Sequence, residues 1–371
     1  MKVLHFFKTY WPDTFGGVER TIHAIAKGTQ KHGICSEVLS LSRSPDTNTM
    51  VFDGHMAYKA KLDFEFASTG FSRDVFHHFR KLSREADIIH FHFPWPLMDI
   101  VNLATGHGKP TIVTYHSDIV KQKMLLKFYQ PLMFRFLGSM DRIVATSPNY
   151  RRSSKVLQTF SSKTSVIPLG LSEGDYPVVA EETRVRWRSR LPKRFFLFIG
   201  VLRYYKGVHI LLEAARQTGF DVVLIGNGPI EDELKRTVRQ QNLSNVHFLG
   251  ALSDAEKVAI LDLSIGLVFP SHLRSEAFGL SLVEAAMRGK PMISCEIGTG
   301  TSFVNLDGET GLVIPPDDAP ALSQAMTRLW DDHPLALSCG ANARRRYEAN
   351  FTAEQMAQSY VELYRSVAGS R

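Results

Sequence analysis

Glu276 and Glu284 stand with seven residues between them in the stretch SEAFGLSLVEAAMRGKP, and that spacing puts both near the start of one helix. The apolar run Ile265 to Phe269 reads as a short buried strand that Pro270 ends. Leu280, Val283, Ala286 and Met287 then recur at helical spacing until Gly289 closes the helix. Glu276 precedes that helix in a loop with Ser275 and Gly279, while Glu284 falls in its second turn. A helix start offers unpaired backbone N–H groups to an anion such as phosphate, and a carboxylate beside it accepts hydrogen bonds from hydroxyls. For one carboxylate alone an ordinary solvated loop and helix is the favoured explanation; two of them flanking a turn with Ser275 and Gly279 bring the functional reading level with it.

Other chemistry-bearing residues also fall just past strands. Phe195 to Gly200 reads as a strand, and Arg203 and Lys206 follow it in VLRYYKG. Two cations there could clamp a diphosphate, Arg through a fork of donors and Lys as a point charge; the other reading is a solvated loop. Pro110 to Tyr115 runs directly into His116-Ser117-Asp118. Lys2 to Phe7 precedes an irregular loop that opens a helix at Gly16-Gly17, without the full GxGxxG fingerprint. His90 and His92 lie inside the strand Asp87 to Phe93 and read as core histidines satisfied by backbone. No Asp-x-Asp motif occurs, so no metal is expected.

Placing these groups requires alternating strands and helices, with ligands at the carboxyl edge of parallel sheets. A chain of 371 residues exceeds the size of one core, so two doubly wound domains are expected. The first spans residues 1–170, and residues 171–193 read as a linker. The second spans 194–346, and 347–371 forms a closing helix that packs back toward the first. Residues 43–75 read as irregular with short strands, and the helical pattern from Ile119 to Met140 as broken near Pro131.

Three scattered cysteines argue against disulfides or a zinc site. The apolar run Val3 to Phe7 is too short for a signal peptide, and no run approaches a membrane span, so a cytoplasmic location is expected. Residues 1–170 carry 22 Lys and Arg against 13 Asp and Glu, whereas 171–371 carry 22 against 24. Attraction to an anionic surface follows. With no zinc-finger spacing, RNP motif or long basic run, nucleic acid is not the expected partner. Lys121, Lys123 and Lys127, interleaved with apolar residues, mark the expected membrane contact.

Two Rossmann-like halves, the Arg203/Lys206 pair and Glu276-x7-Glu284 together resemble the retaining family 4 glycosyltransferases of GT-B fold, across essentially the whole chain. GVLRYYKG, YHSD and EIGTGTSFVN are similar to bacterial mannosyl- and rhamnosyltransferases of O-polysaccharide (lipopolysaccharide) synthesis. The resemblance implies two domains facing a cleft and sugar transfer with retention, by front-face attack in which the leaving phosphate takes the acceptor's proton. It implies that Glu284 holds the ribose hydroxyls and that Glu276 lies beside the donor sugar. The amides of Phe278, Gly279 and Leu280, with Ser281, would meet sugar and diphosphate, and Gly17 would approach the diphosphate. Arg203 and Lys206 would neutralise it, and His116 would touch the transferred sugar. Lys8 and Asp118 are assigned to sugar or acceptor.

Two departures from the family pattern stand out. Val201 occupies the usual Arg position, with Arg203 two residues later, and Gly298-Thr299-Gly300-Thr301-Ser302 replaces a Gly-Gly and Glu loop. Thr299 and Thr301 are therefore expected to bond donor or acceptor. The implied donor is a nucleotide sugar, GDP-mannose before GDP-rhamnose or a UDP-sugar. The implied acceptor is a polyprenyl-diphosphate-linked saccharide at the cytoplasmic face of the inner membrane, with no cofactor. A sugar-nucleotide epimerase or a non-catalytic nucleotide-sugar-binding subunit remains open at this point.

Overall fold

The computed structural model describes residues 1–44, 49–66, 69–119 and 123–369, without the side chains of Thr49 and Lys123–Leu125. The chain forms two units, Met1–Gly170 with Ala353–Arg371, and Leu171–Thr352. Strands of the first unit are β1 (Lys2–Phe6), β2 (Cys35–Ser42), β3 (Thr49–Phe52), β4 (His55–Lys61), β5 (Phe64–Phe66), β6 (Thr69–Phe71), β7 (Ile88–Phe93), β8 (Thr111–Tyr115), β9 (Arg142–Ala145) and β10 (Thr164–Val166). Among the described residues eight of them make one sheet, in the order β10-β9-β8-β7-β1-β2-β4-β3. All its pairings are parallel except the β3–β4 edge, and β5 and β6 form a separate antiparallel pair.

Period-two alternation gives this sheet two unlike faces. Phe6 and Phe91 point to one face, where Phe79 of the helix Asp74–Glu85 and Phe136 of the helix Lys123–Ser139 pack on them. His5, His90 and His92 point to the other. That face is met by Tyr360 and Tyr364 of the helix Ala353–Ala368, which also packs against the helix Gly17–Gln30.

The second unit holds β11 (Phe196–Ile199), β12 (Val222–Ile225), β13 (Val246–Gly250), β14 (Gly266–Phe269), β15 (Met292–Cys295) and β16 (Gly311–Ile314). They form a parallel sheet in the order β13-β12-β11-β14-β15-β16. Its strands read as continuous apolar runs because helices cover them: Phe196, Phe198, Leu224, Val268 and Ile293 pack with Leu211, Leu322 and Met326. The helix Asp254–Leu263 starts with a capping box, Ser253 and Glu256 each bonding the other's backbone. In each sheet the strand order reverses beside the first strand, at β1 and at β11. In open α/β sheets, ligands bind outside the carboxyl ends of the strands at such a point.

Four expectations change. Residues 43–75 include β4, seven residues long and paired with β2 along its length. Residues 171–193 are not a free linker, since they belong to the second unit and include the helix Glu181–Arg190, which packs on Asp254–Leu263. The final helix begins at Ala353, after a separate helix His333–Asn350. The helix Lys123–Ser139 runs through Pro131 unbroken.

Candidate functional site

Phe269 ends β14, and the chain then runs through Pro270 and Ser271 to Glu276 and the helix Leu280–Met287. Gly279 starts that helix with φ 88, a left-handed conformation that suits glycine. A Cβ there would lie 3.0 Å from the Phe269 ring and 3.1 Å from Leu282, so the turn leaves no room for a side chain. The tight turn brings the helix start against the strand end, where Leu280 and Ser281 have no intrahelical acceptor for their amides.

The neighbouring loop, after β11, is pinned from several sides. Gly207 has φ 67, and a Cβ on it would fall 2.0 Å from the Pro270 carbonyl oxygen, so the two loops touch backbone to backbone. The His272 amide donates to the Tyr205 carbonyl, and its ring Nε2–H donates to the Tyr204 carbonyl, both at 3.0 Å. Nδ1 of the same ring is paired with Asp317. Lys206 is thereby turned inward to form an ion pair with Glu276, both side chains being about one-tenth exposed. Its ammonium lies 4.7 Å from the Phe269 ring centre, and Ser271 donates to the same carboxylate oxygen at 3.3 Å. Arg203, by contrast, is exposed. Lys206 and Glu276, assigned from the sequence to diphosphate and donor sugar, are brought together as an ion pair, and His272 and Ser271, which no sequence signal singled out, hold them there.

Glu284 is buried. Its Oε1 accepts from Lys257 Nζ at 2.6 Å and from Tyr176 Oη at 2.8 Å, and Lys257 also meets Asp254 at 2.9 Å. Both bonds on the carboxylate fall on one oxygen. Lys257 and Tyr176 come from segments 27 and 108 residues away, so no local spacing could have indicated them.

Three assignments in this unit are corrected. The Ser281 hydroxyl donates to the Ile199 carbonyl at 2.9 Å, which commits its proton to joining the helix to β11 and leaves it no donor for a phosphate. Thr301 is fully buried and donates to the Cys295 carbonyl at 2.9 Å. Thr299 is fully buried as well, so neither hydroxyl is presented to a ligand. Gly300 explains why: its amide bonds the Ala277 carbonyl at 2.7 Å, which folds this loop onto Ala277 and Phe278. Phe278 is itself buried, its ring edge-on to Phe351, so only its backbone is available to a ligand.

In the first unit, Gly17 begins its helix and is exposed. The buried Glu19 in the first turn accepts from Thr9 at 2.8 Å and Thr14 at 2.6 Å, which folds the loop after β1 onto the helix start. Lys8 is half-buried in that loop. Asp118 accepts from Tyr115 at 2.9 Å and Ser154 at 2.8 Å, a role in shaping the loop after β8.

His116 leaves the end of β8 with its amide on the Phe93 carbonyl at 3.0 Å. Its Nε2 lies 3.0 Å from His92 Nδ1, and His92 Nε2 lies 3.1 Å from His5 Nδ1. His90 bonds Tyr364 and Thr114, each at 2.7 Å. His90 and His92 are therefore satisfied by side chains rather than by backbone, which corrects the sequence reading. Burial holds His116 and His5 down to about 3, and His90 and His92 well below the ordinary histidine value. All four are neutral at pH 7.

Two groups bring metal-ligand atoms within 4.8 Å of one another among the described residues: His5, His90 and His92, and His209, His272 and Asp317. Both ring nitrogens of His90, His92 and His272 already take part in the hydrogen bonds and ion pair above, so a metal at either group would have to displace them.

Residues 15–175 match the family model described as Glycosyltransferase Family 4, and residues 179–346 match Glycosyl transferases group 1. The chain is 53% identical to the D-rhamnosyltransferase WbpZ of Pseudomonas aeruginosa, over 95% of this chain and 93% of that protein. It is 48% identical to the O-antigen chain mannosyltransferase C of Escherichia coli, over the full length of both. Among solved structures, sucrose-phosphate synthase from Thermosynechococcus elongatus superposes with a TM-score of 0.83 at 22% identity, covering all of both chains. Anabaena HepE in complex with UDP-glucose superposes with a TM-score of 0.80 at 18% identity, over 99% of this chain and all of that one. Two parallel-sheet units, a largely buried Lys206–Glu276 pair at the switch point and these matches lead to one conclusion: the chain belongs to the family 4 glycosyltransferases and has the GT-B fold.

Proposed function

We propose that this glycosyltransferase moves mannose from GDP-mannose, with retention, onto a polyprenyl-diphosphate-linked saccharide in O-polysaccharide synthesis. The observation that carries the reading is the Lys206–Glu276 pair beside the start of the helix Leu280–Met287. In this reading Lys206 and the helix amides take up the charge that a leaving diphosphate gains, and Glu276 accepts from sugar hydroxyls. Glu284, through Oε2, accepts from a ribose hydroxyl, and Arg203 swings in from its exposed position onto the diphosphate. These cations do the work a metal does elsewhere. The full-length likeness to an O-antigen mannosyltransferase supports mannose, and that to a D-rhamnosyltransferase supports a second reading.

Rhamnose is 6-deoxymannose, so the two donors differ by a single hydroxyl. A site that hydrogen-bonds this hydroxyl rejects the deoxy donor by roughly 10⁴-fold, whereas an apolar site tells them apart by only about 10²-fold. Transfer kinetics with GDP-mannose, GDP-D-rhamnose and UDP-glucose, with and without EDTA, test the proposal. GDP-mannose giving the highest kcat/KM, unchanged by EDTA, is expected. Preference for GDP-D-rhamnose would establish the second reading, and conversion of the donor with no acceptor present would point to an epimerase instead.

We further propose that the first unit rests on an anionic membrane surface. Among the described residues no helix is long and apolar enough to cross a membrane. On the helix Lys123–Ser139, Phe128 is 85% exposed beside the exposed Lys127, an apolar anchor next to a cation. Lys121 and the side chain of Lys123 lie outside the described residues. Co-sedimentation with vesicles containing anionic lipid is expected to fall several-fold in Lys127→Glu/Phe128→Ser; unchanged binding rejects this surface.

A further inference from the structure

His5, His92 and His116 come from three adjacent strands, and their ring nitrogens follow one another at 3.1 and 3.0 Å. Each nitrogen-to-nitrogen contact holds one proton, and a neutral imidazole carries one N–H. The rings therefore cannot choose their tautomers independently. If His92 carries its proton on Nδ1, it donates to His116 Nε2 and accepts from His5 Nδ1–H. If it carries the proton on Nε2, every bond reverses, and His5 must hold an N–H at its own Nε2. His5 is fully buried, and its Nε2 has no hydrogen-bond partner. A buried orphan N–H is the rarer arrangement in folded proteins, so the chain runs from His5 toward His116.

We propose that His5 and His92 are positioning residues that lock His116 in a single orientation as a neutral Nδ1–H donor. The neighbouring polar groups form a separate circuit and do not compete. His90 is held by Tyr364 and Thr114, and Thr114 by Tyr360 at 2.8 Å. A neutral donor suits sugar transfer, because the reacting carbon becomes electron-poor and an imidazolium beside it would oppose that change. A fixed N–H can still bond a hydroxyl oxygen of the transferred sugar. This catalytic consequence rests on the glycosyltransferase reading of His116, whereas the direction of the chain does not.

Imidazole nitrogen NMR on protein labelled with heavy-nitrogen histidine reads the tautomer directly, and His116→Ala assigns the signals. The expected result is His116 protonated at Nδ1 and bare at Nε2, and His92 likewise. A proton on His116 Nε2 overturns the proposal, whatever the activity. The second arm compares His92→Leu with His92→Asn, whose amide N–H can occupy the place of Nδ1–H. His92→Leu is expected to yield mixed His116 tautomers and to lower kcat/KM about tenfold, the loss of roughly one hydrogen bond, with Asn restoring most of both. Equal kinetics and equal tautomer signals in the two variants reduce His92 to a packing residue. Should no donor be turned over, the transfer reading fails while the NMR result still decides the direction of the chain.

Discussion

Replacing Lys206 with alanine is expected to lower kcat by roughly 100- to 1,000-fold while the donor KM moves only a few-fold, as when an oxyanion-stabilising donor is deleted. A leaving diphosphate gains negative charge only as the sugar bond breaks, so a cation placed there favours the transition state over the bound donor. Lys206 is well situated for this, since it is nine-tenths buried and lies over the Phe269 ring. It is also held in place before the donor arrives, by Glu276 and by a loop that His272 ties down at two carbonyls. Glu284→Gln provides the contrast. Ribose hydroxyls are bound equally in the ground and transition states, so losing the charge on Glu284 is expected to raise donor KM about tenfold with kcat nearly unchanged. Steady-state kinetics on both variants, with melting temperatures to confirm folding, separate the two roles. Wild-type kcat in Lys206→Ala removes Lys206 from the reaction.

The second large effect is acid sensitivity of the first unit. In the unfolded chain a histidine takes up a proton near 6.5, whereas His5 and His116 in the fold resist it down to about 3, and His90 and His92 are lowered well below the ordinary value. The charges acting on them are those of other histidines: His55 on His5, and the cluster's own members on His90 and His92. Tyr360 and Tyr364 pack against the same face as neutral phenols, their own values raised by burial. Below pH 6.5 the unfolded state therefore binds more protons than the folded one. Stability is full above that pH and is lost as pH falls, by about 1.4 kcal/mol per pH unit for each histidine. Four histidines acting together give about 5 kcal/mol per unit, comparable with the whole stability of a domain. Denaturant titrations that follow Trp11 and Trp95 should show a steep loss between about pH 6.5 and 5. A flat profile down to pH 4.5 would falsify the assignment of these four as buried and neutral.

Most strands and helices around the site were legible because each is a local pattern. The apolar runs at 196–199 and 266–269, the helical spacing after Leu280 and the glycine turns depend on neighbours a few residues away. The Glu276-x7-Glu284 spacing and the pair Arg203 and Lys206 were readable for the same reason, and with them the family. The strand β4 was not, since His55–Lys61 mixes polar and apolar residues and becomes a strand by pairing with β2 on one side and β3 on the other. Lys59 shows why: its buried ammonium is satisfied by the Tyr10 carbonyl, Ser40 and Asp13, all distant in sequence.

What the sequence determined by itself was the alternation of strands and helices, the two-part α/β architecture and the residue types gathered at the strand ends. Tertiary structure alone decided which of those residues can meet a ligand. Folding turned Lys206 inward onto Glu276 and left Arg203 outside. It spent the protons of Ser281 and Thr301 on backbone carbonyls, and it aligned histidines from three strands into one chain. Hydrogen-bond partners of buried polar groups come from segments tens to hundreds of residues away, and a neutral histidine looks the same in a sequence whether its proton faces a ligand or the core.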